Sequence, residues 1–411
     1  MFNNINDALN WLQNIRRKEK RTDLSRITEV LNYFDNPQES FAKIHVAGTN
    51  GKGSTCQILN SCLQQKYKVG VFSSPYVVEF NERIKMNNDY IDNDSLLEYI
   101  NIVKKYSDDY NLKNGDIIPF FELTFVISLL YFKKEKVDIA IIEVGVGGLL
   151  DCTNCFNYEV SAITNIGYDH VDYLGHTLEE IASHKLGILK QENILYTTVQ
   201  EDLRVLFKKY CKKNKVKNNS IEIENINILN VDINGLIFEF NGFKFETSLI
   251  GIHQVYNTVL AIHILNDFFK FSYYEINKFI KDISFNGRFE TIQNKPLFIV
   301  DGAHNVDGIK SLVKSIKLIF NKKVHFCFAA MKDKDVSNMI SEIQEVSETI
   351  TFTQINYYRT TECNEFKTDH KNVFYYENID DAISSFKKLN DDDIVVFTGS
   401  LYFVSEIRKI I

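Results

Sequence analysis

Residues 43–55 read KIHVAGTNGKGST, and this stretch decides the fold. A short apolar run, Lys43–Ala47, breaks into glycines at 48, 51 and 53 around Lys52, and Ser54-Thr55 then opens a segment of helical period. Glycine is scarce, 18 in the chain, so three within six residues require a reason. A strand running through Gly-rich backbone into a helix forms a phosphate cradle. The missing side chains let N–H groups approach oxygen, the helix N-terminus adds positive potential, and a lysine neutralises charge. Gly48, Thr49, Asn50, Gly51, Lys52, Gly53 and Ser54 are therefore the candidate nucleotide contacts. The hydroxyl of Ser54 or Thr55 can reach a magnesium ion bridging the phosphates. Val46 stands where the standard P-loop has its first glycine, and Gly53 separates Lys52 from Ser54. Taken alone, a Gly-rich surface turn carrying an exposed lysine is the competing reading.

Outward from this loop, β-branched and aromatic runs alternate with helical-period segments. Strands are expected at 43–47, 137–144, 160–166, 297–301, 323–330 and 393–399, and helices at 54–67, 122–134, 177–190, 255–269, 306–320 and 401–410. Strands apolar throughout and separated by helices indicate a parallel sheet covered on both faces. Residues 234–250, NGLIFEFNGFKFETSLI, instead alternate apolar with polar and turn at Asn241-Gly242, a type I′ hairpin signal. That hairpin is expected as an antiparallel appendage near the end of the first domain. The α/β rhythm restarts after SFNGRFE (284–290), which places a junction near 286. The expected architecture is α/β. It comprises a P-loop domain with a mostly parallel sheet over 1–285 and a smaller Rossmann-like α/β domain over 286–411. The lysine-rich KKNKVKNN (212–219) reads as a solvated surface segment.

Length and composition agree. A chain of 411 residues exceeds a comfortable single core, so two domains are the prior. A net charge of −7 argues against a general nucleic-acid binder. Seven scattered cysteines suit reduced thiols better than a disulfide framework. Cys152 and Cys155 form a C-x-x-C, but no second pair completes a zinc or redox site. The N-terminal residues have helical rather than signal-peptide character, and no apolar run approaches the ~18 residues of a bilayer span. A cytoplasmic protein without membrane or nucleic-acid partners is expected.

Other segments carry chemistry by position. Glu143 closes an apolar run, so its carboxylate falls at the C-terminal end of a parallel strand, where open α/β sheets bind ligands. Opposite a phosphate loop it is placed to hold magnesium; otherwise it is a solvent-facing strand-end acid. DGAHN (301–305) also follows a strand, and Asp301 and His304 either meet a ligand or cap the next helix. Tyr76, Phe80, Phe120 and Phe121 offer flat faces for a planar ring to stack on, with Arg83 and Glu122 as polar anchors; aromatic core packing is the alternative.

Together the segments resemble the folylpolyglutamate synthase family, within the ATP-dependent Mur-ligase-like amide ligases. HVAGTNGKGST, SSPYVVEFNERI (73–84), PFFELTF (119–125), EVGVGGLLDCTN (143–154), TNIGYDHVDYLG (164–175), EIASHKLGILK (180–190), GIHQVYNTVLA (251–261), NGRFE (286–290), DGAHN and TGSLYF (398–403) match in order. The resemblance implies magnesium ligation by Ser73 and Glu143, and a second ion at His170, with Asp169 beside it. It implies that Lys185 is carbamylated, turning a cation into an oxygen donor. It further implies nucleotide contacts from Asn257, Arg288 and Asp301, and a folate pocket that includes Pro75, Tyr76, Arg83, Phe121, Glu122 and Asp151. His184, Leu186 and Leu149 depart from the residues common at those positions.

The implied reaction is amide formation. ATP phosphorylates a folate carboxylate, and L-glutamate attacks the acyl phosphate and expels phosphate. Lys52, Glu143, His170 and Lys185 stabilise the developing charge, and magnesium is the cofactor. Three substrates meeting in one cleft suit two domains closing on the nucleotide in a monomeric enzyme. Use of dihydropteroate, the bifunctional variant, is open; RTDLSRI (21–27) lies where the family shapes a pteroate site. With 47 residues before the first loop glycine, a UDP-sugar peptide ligase with an extra N-terminal domain is not expected. A non-catalytic nucleotide switch would need the loop without Glu143, His170 or Lys185.

Overall fold

The computed structural model describes residues 1–15, 23–357 and 359–411. The expected Arg21 and Thr22 of the pteroate segment lie outside them. The strands are β1 Ala42–Ala47, β2 Val69–Phe72, β3 Ile84–Met86, β4 Asp89–Tyr90, β5 Ile139–Glu143, β6 Val160–Ile163, β7 Ile194–Thr197 and β8 Lys217–Ser220. They continue with β9 Asn227–Asp232, β10 Gly235–Phe240, β11 Phe243–Thr247, β12 Glu290–Asn294, β13 Leu297–Val300, β14 Val324–Phe328, β15 Ser347–Phe352, β16 Val373–Tyr375 and β17 Ile394–Thr398.

Among the described residues these form three sheets, ordered β4-β3-β2-β5-β1-β6-β7-β8, β11-β10-β9 and β12-β13-β17-β14-β15-β16. The first is parallel from β2 through β8, with β3 and β4 antiparallel at one edge. The central strands β1, β2, β5 and β6 are mostly apolar and, apart from Ala42, buried along their length, as strands covered on both faces must be. Helices Lys52–Leu63 and Phe120–Glu135 join them, and the second carries Leu123, Phe125, Val126, Ile127, Leu129 and Phe132 into the core. A glycine at position 70 is required there, because a Cβ would sit 2.8 Å from the Phe132 ring.

The chain divides into two compact units. The first comprises 1–166, 179–221 and 263–270, and the second 167–178, 222–262 and 271–411. The second contains the six-stranded sheet, with β12 antiparallel at one edge and the remaining neighbours parallel. The expected hairpin forms: Asn241 and Gly242 both take positive φ, 51° and 74°, as a type I′ turn requires. It gains a third strand, β9, and clusters with the second unit rather than hanging from the first.

The lysine-rich segment 212–219 is a surface segment with its four lysines exposed, and its residues 217–219 also begin β8, an edge strand paired with β7 through backbone hydrogen bonds that charge pattern does not reveal. Asn219 anchors it by donating to Asp267 Oδ2 at 2.8 Å. Among the described residues no helix is long and apolar enough to cross a membrane.

Candidate active site

Four neighbouring strands of the first unit, in the order β2-β5-β1-β6, point their C-terminal ends the same way. Ser73 follows β2, Glu143 ends β5, the glycine loop follows β1, and Thr164-Asn165 follows β6. An open parallel sheet collects its ligand residues along this edge.

The loop is tightly specified. Gly48 has φ of 149° and Gly51 has φ of 83°, conformations a side chain strains. The helix then starts at Lys52, and Thr55 N–H makes its bond to Gly51 O at 2.9 Å. The first-turn amides of Lys52, Gly53 and Ser54 therefore have no carbonyl within the helix to bond, which is the anion-binding end. Thr49 N–H donates to Asn165 O at 3.0 Å and Asn50 N–H to Asn165 Oδ1 at 2.8 Å. The expected cradle is thus narrower than the glycine pattern suggests, because those two amides already serve the protein. Lys52 folds back over the loop, its Nζ donating to Gly48 O and Thr49 O, both at 3.1 Å.

Glu143 is buried, 4% exposed, and its Oε2 accepts the Ser74 N–H at 3.0 Å. Its Cα is in register with Val46, immediately before the loop. Strand-end acids are ordinarily solvated, so burial beside a lysine-bearing loop separates this one from the bland reading. Lys185 is also buried, 3% exposed, on helix Leu178–Leu186. The Gly148 backbone packs on it: a Cβ there would lie 3.3 Å from Lys185 Cα and 3.0 Å from His184 O. Exposed Leu149 sits against Gly187 and donates its N–H to His184 O at 2.8 Å.

The expected folate wall is built differently from an open aromatic face. The Arg83 guanidinium, in a residue 6% exposed, lies over Tyr76, Phe80 and Phe120 at 5.1, 5.7 and 5.3 Å from the ring centroids. Those rings already hold a cation in the described arrangement. Phe121 closes on the backbone at Gly145, where a Cβ would be 2.7 Å from its ring. Pro75 is exposed. Glu122 is buried and gripped by Arg26 in a fork, Nε to Oε2 at 3.1 Å and Nη2 to Oε1 at 2.9 Å. Burial opposes the Arg26 charge, but Glu122 and Asp116 outweigh it and hold the guanidinium firmly protonated. Asp151 turns inward: it accepts from Val146 N–H at 3.0 Å, Thr153 N–H at 3.0 Å and Thr153 Oγ1 at 2.6 Å. Burial raises its carboxyl, and these hydrogen bonds pull the other way.

The second unit brings His170, Asn257, Arg288, Asp301 and His304 onto its own elements. His170 takes φ of 50° at the start of the short helix Val171–Leu174. Asp169 is its hub: Oδ1 meets Lys334 Nζ at 2.5 Å, Oδ2 accepts Asn305 Nδ2 at 3.1 Å, and His304 Nε2 lies 3.6 Å from Oδ2. Burial would raise this carboxyl, but the His304 hydrogen bond and the charges of Lys334, His170 and His304 hold it well below the usual carboxylate range. Asp301 accepts Phe289 N–H and Ala303 N–H, both at 2.9 Å. The cap of helix Val306–Ile319 is Asn305, not Asp301 or His304, which disposes of their capping alternative. Arg288 stacks on Phe285 at 5.5 Å, and Asn257 Nδ2 donates to Gln254 Oε1 at 2.9 Å.

Sequence reasoning missed Arg26, Glu82, Thr164, Asn165 and Lys334. Glu82 takes three successive N–H groups, from Val77, Val78 and Glu79, and so shapes the 76–79 turn. Arg26, Thr164-Asn165 and Glu82 sit inside quoted motifs, and position within them was the available signal. Arg26 and Lys334 reach their partners across 96 and 165 residues, which no local pattern displays.

Residues 121–265 match the Mur ligase middle domain and 287–401 the Mur ligase glutamate ligase domain. A dihydrofolate synthase/folylpolyglutamate synthase of Bacillus subtilis is 32% identical over 433 residues, covering 100% of this chain and 99% of that one. The crystal structure of a Thermotoga maritima folylpolyglutamate synthase superposes with a TM-score of 0.84 at 27% identity, covering 99% and 96% of the two chains. A Yersinia pestis bifunctional folylpolyglutamate synthase/dihydrofolate synthase, complexed with AMPPNP and a Mn ion, shares the fold with a TM-score of 0.87 at 22% identity, covering 99% and 98%. Since the 32% identity runs the whole length of both chains and the two Mur ligase domain models match in order, this chain belongs to the folylpolyglutamate synthase/dihydrofolate synthase family of Mur-type ligases.

Proposed function

We infer that the chain is an ATP-dependent carbon–nitrogen ligase that adds L-glutamate to a folate carboxylate through an acyl phosphate, releasing ADP and phosphate. The observation that carries this reading is the shared edge of β2, β5, β1 and β6, where a lysine-bearing anion loop stands in register with a buried carboxylate. A phosphate loop alone binds nucleotide. A buried acid beside it supplies an oxygen ligand for a divalent cation, and that pairing serves phosphoryl transfer.

Lys52 and the first-turn amides of helix Lys52–Leu63 neutralise the β- and γ-phosphates. Ser54, Ser73 and Glu143 are oxygen donors of the kind magnesium prefers, and they would hold the metal. His170 and carbamylated Lys185 are proposed for a second ion. When bound, the cation offsets charge developing on the transferred phosphoryl group. Burial of Lys185 supports its assignment, because a solvated surface lysine would sit away from the site and a carbamate turns a buried cation into an oxygen donor. Asn257, Arg288, Asp301 and His304 are proposed nucleotide contacts, and Pro75, Tyr76, Arg83, Phe121, Glu122 and Asp151 folate contacts. The proposed division is 1–285 for ATP and folate and 286–411 for glutamate and further nucleotide contacts. Among the described residues no disulfide joins any of the seven cysteines, which supports a reducing cytoplasm. A monomer is proposed.

The second reading, bifunctionality, is favoured by the B. subtilis relative, whose name joins both activities. Purified protein with ATP, magnesium and L-glutamate should release ADP when given tetrahydrofolate. Release with dihydropteroate as well assigns both activities. Tight ATP binding with no glutamate-stimulated release on either acceptor sinks the ligase reading and leaves a nucleotide switch.

A further inference from the structure

We propose that Thr164 and Asn165, at the tip of β6, are positioning residues that latch the phosphate loop into its nucleotide-binding shape through Asn50. The proposal rests on the reading of 48–54 as a nucleotide loop. The two residues engage both backbone groups of Asn50: Asn165 Oδ1 accepts its N–H at 2.8 Å, and Thr164 Oγ1 donates to its carbonyl at 2.6 Å. Asn165 O adds the Thr49 N–H at 3.0 Å. The Thr164 hydroxyl also fills the space that Gly48 leaves by lacking a side chain, since a Cβ there would fall 1.8 Å from Oγ1. Gly48 is thus glycine to admit the latch as well as to turn the chain.

The latch is itself braced. Thr164 is 3% exposed, its N–H donates to Ala47 O at 2.9 Å, and its carbonyl accepts the Thr198 hydroxyl at 2.8 Å. Its backbone is therefore fixed by β1 on one side and the segment after β7 on the other. A loop with glycines at 48, 51 and 53 has the largest conformational entropy to lose on gripping phosphates. Hydrogen bonds from a rigid strand tip order it during folding, so that loss no longer weakens nucleotide binding. The effect falls on nucleotide affinity, and neither residue needs to touch the reacting atoms.

The test is a titration of full-length protein with mant-ATP, alongside steady-state kinetics. Thr164→Val keeps the β-branched shape and removes the hydroxyl; Thr164→Ser keeps the hydroxyl. Losing one buried hydrogen bond weakens mant-ATP about tenfold in Thr164→Val, with the ATP KM rising in parallel. Thr164→Ser stays within about twofold of wild type, and the KM values for glutamate and folate do not move. Should Thr164→Val fail to fold, Asn165→Ala removes the acceptor for Asn50 N–H and carries the same expectation. Wild-type affinity in a folded Thr164→Val, equal losses in the serine and valine variants, or no mant-ATP binding by wild type each overturn the latch. Weakened mant-ATP binding by Thr164→Val in a protein without glutamate-dependent turnover supports the latch and removes the ligase reading instead.

Discussion

Lys52 and Glu143 differ in how the sequence announces them. Lys52 declares itself through three glycines, whereas Glu143, one of 54 acidic residues, does so through its place at the end of an apolar run. The structure then adds what neither position states: the carboxylate is 4% exposed and the ammonium is bent over its own loop. In the proposed ligase reading both charges face the triphosphate and its cation, and such contacts are worth about 10²–10³-fold in turnover when one is removed. Lys52→Ala and Glu143→Ala should therefore each reduce glutamate-dependent ADP release by at least that factor, while circular dichroism keeps the wild-type spectrum. Near-normal turnover in either folded variant would defeat the assignment of these two residues. At this scale the loop and strand-tip acid were legible, because glycine clusters and strand ends are local patterns. The Arg26–Glu122 fork and the Lys334–Asp169 pair were not, since each joins residues far apart in sequence. The aromatic segment was legible only in part: its rings were identified, but not that Arg83 lies over three of them.

Elements follow the same division between local and distant causes. The inner strands β1, β5, β6, β13, β14 and β17 and the I′ hairpin lie where apolar runs and Asn241-Gly242 put them. Strands β2, β3, β4, β7, β8, β9, β12, β15 and β16 escaped; the edge strands β4, β8 and β16 among them are short or polar, and backbone pairing to a neighbour, not side-chain period, creates them. β1 also carries an unforeseen device. His45, completely buried, stacks on Tyr158 with centroids 4.0 Å apart and places Nε2 2.9 Å from Thr153 Oγ1, whose hydrogen goes to Asp151. That order makes His45 the donor through Nε2–H. Burial first, and the Lys190 charge second, push its pKa down to about 3. An unfolded histidine titrates near 6.5. The group therefore contributes its full stability above that pH, and the contribution is lost as pH falls towards about 3 because the unfolded chain takes up a proton the folded one refuses. Between pH 6.5 and 4.5 wild type should lose roughly 2 kcal/mol more stability than His45→Gln, which can still donate to Thr153. Urea unfolding at a series of pH values measures the difference. Parallel pH profiles would show that the imidazole is protonated in the folded protein.

For the molecule as a whole, the question is which residues share a core with the C-terminal sheet. The strand–helix rhythm puts a boundary at 286, and the matched glutamate ligase domain begins at 287. Packing draws the grouping elsewhere, for the three-stranded sheet and the start of helix Ile252–Asp267 cluster with residues 271–411. The physical ties are specific. Ile233 and Ile250 pack against the cluster formed by Phe289, Ile309, Leu312 and Phe326, and β9 lies against helix Val306–Ile319. Ile252 N–H donates to Ser315 Oγ at 3.2 Å, beside Gly251, whose φ of 104° turns the chain into its helix. Apolar burial, not chain order, decides cooperative units, since a side chain stabilises whichever core it covers. Truncating half-buried Ile250 to alanine should then cost about 1–2 kcal/mol, and the loss should appear in the second unit. Native-state hydrogen exchange on the full chain reads this directly. Amides of β14 and β17 are expected to lose protection in Ile250→Ala while those of β1 and β5 keep theirs. Were protection lost in β1 and β5 with β14 and β17 unchanged, residues 222–262 would belong energetically to the first unit, and the boundary near 286 would mark the cooperative division as well as the change in rhythm.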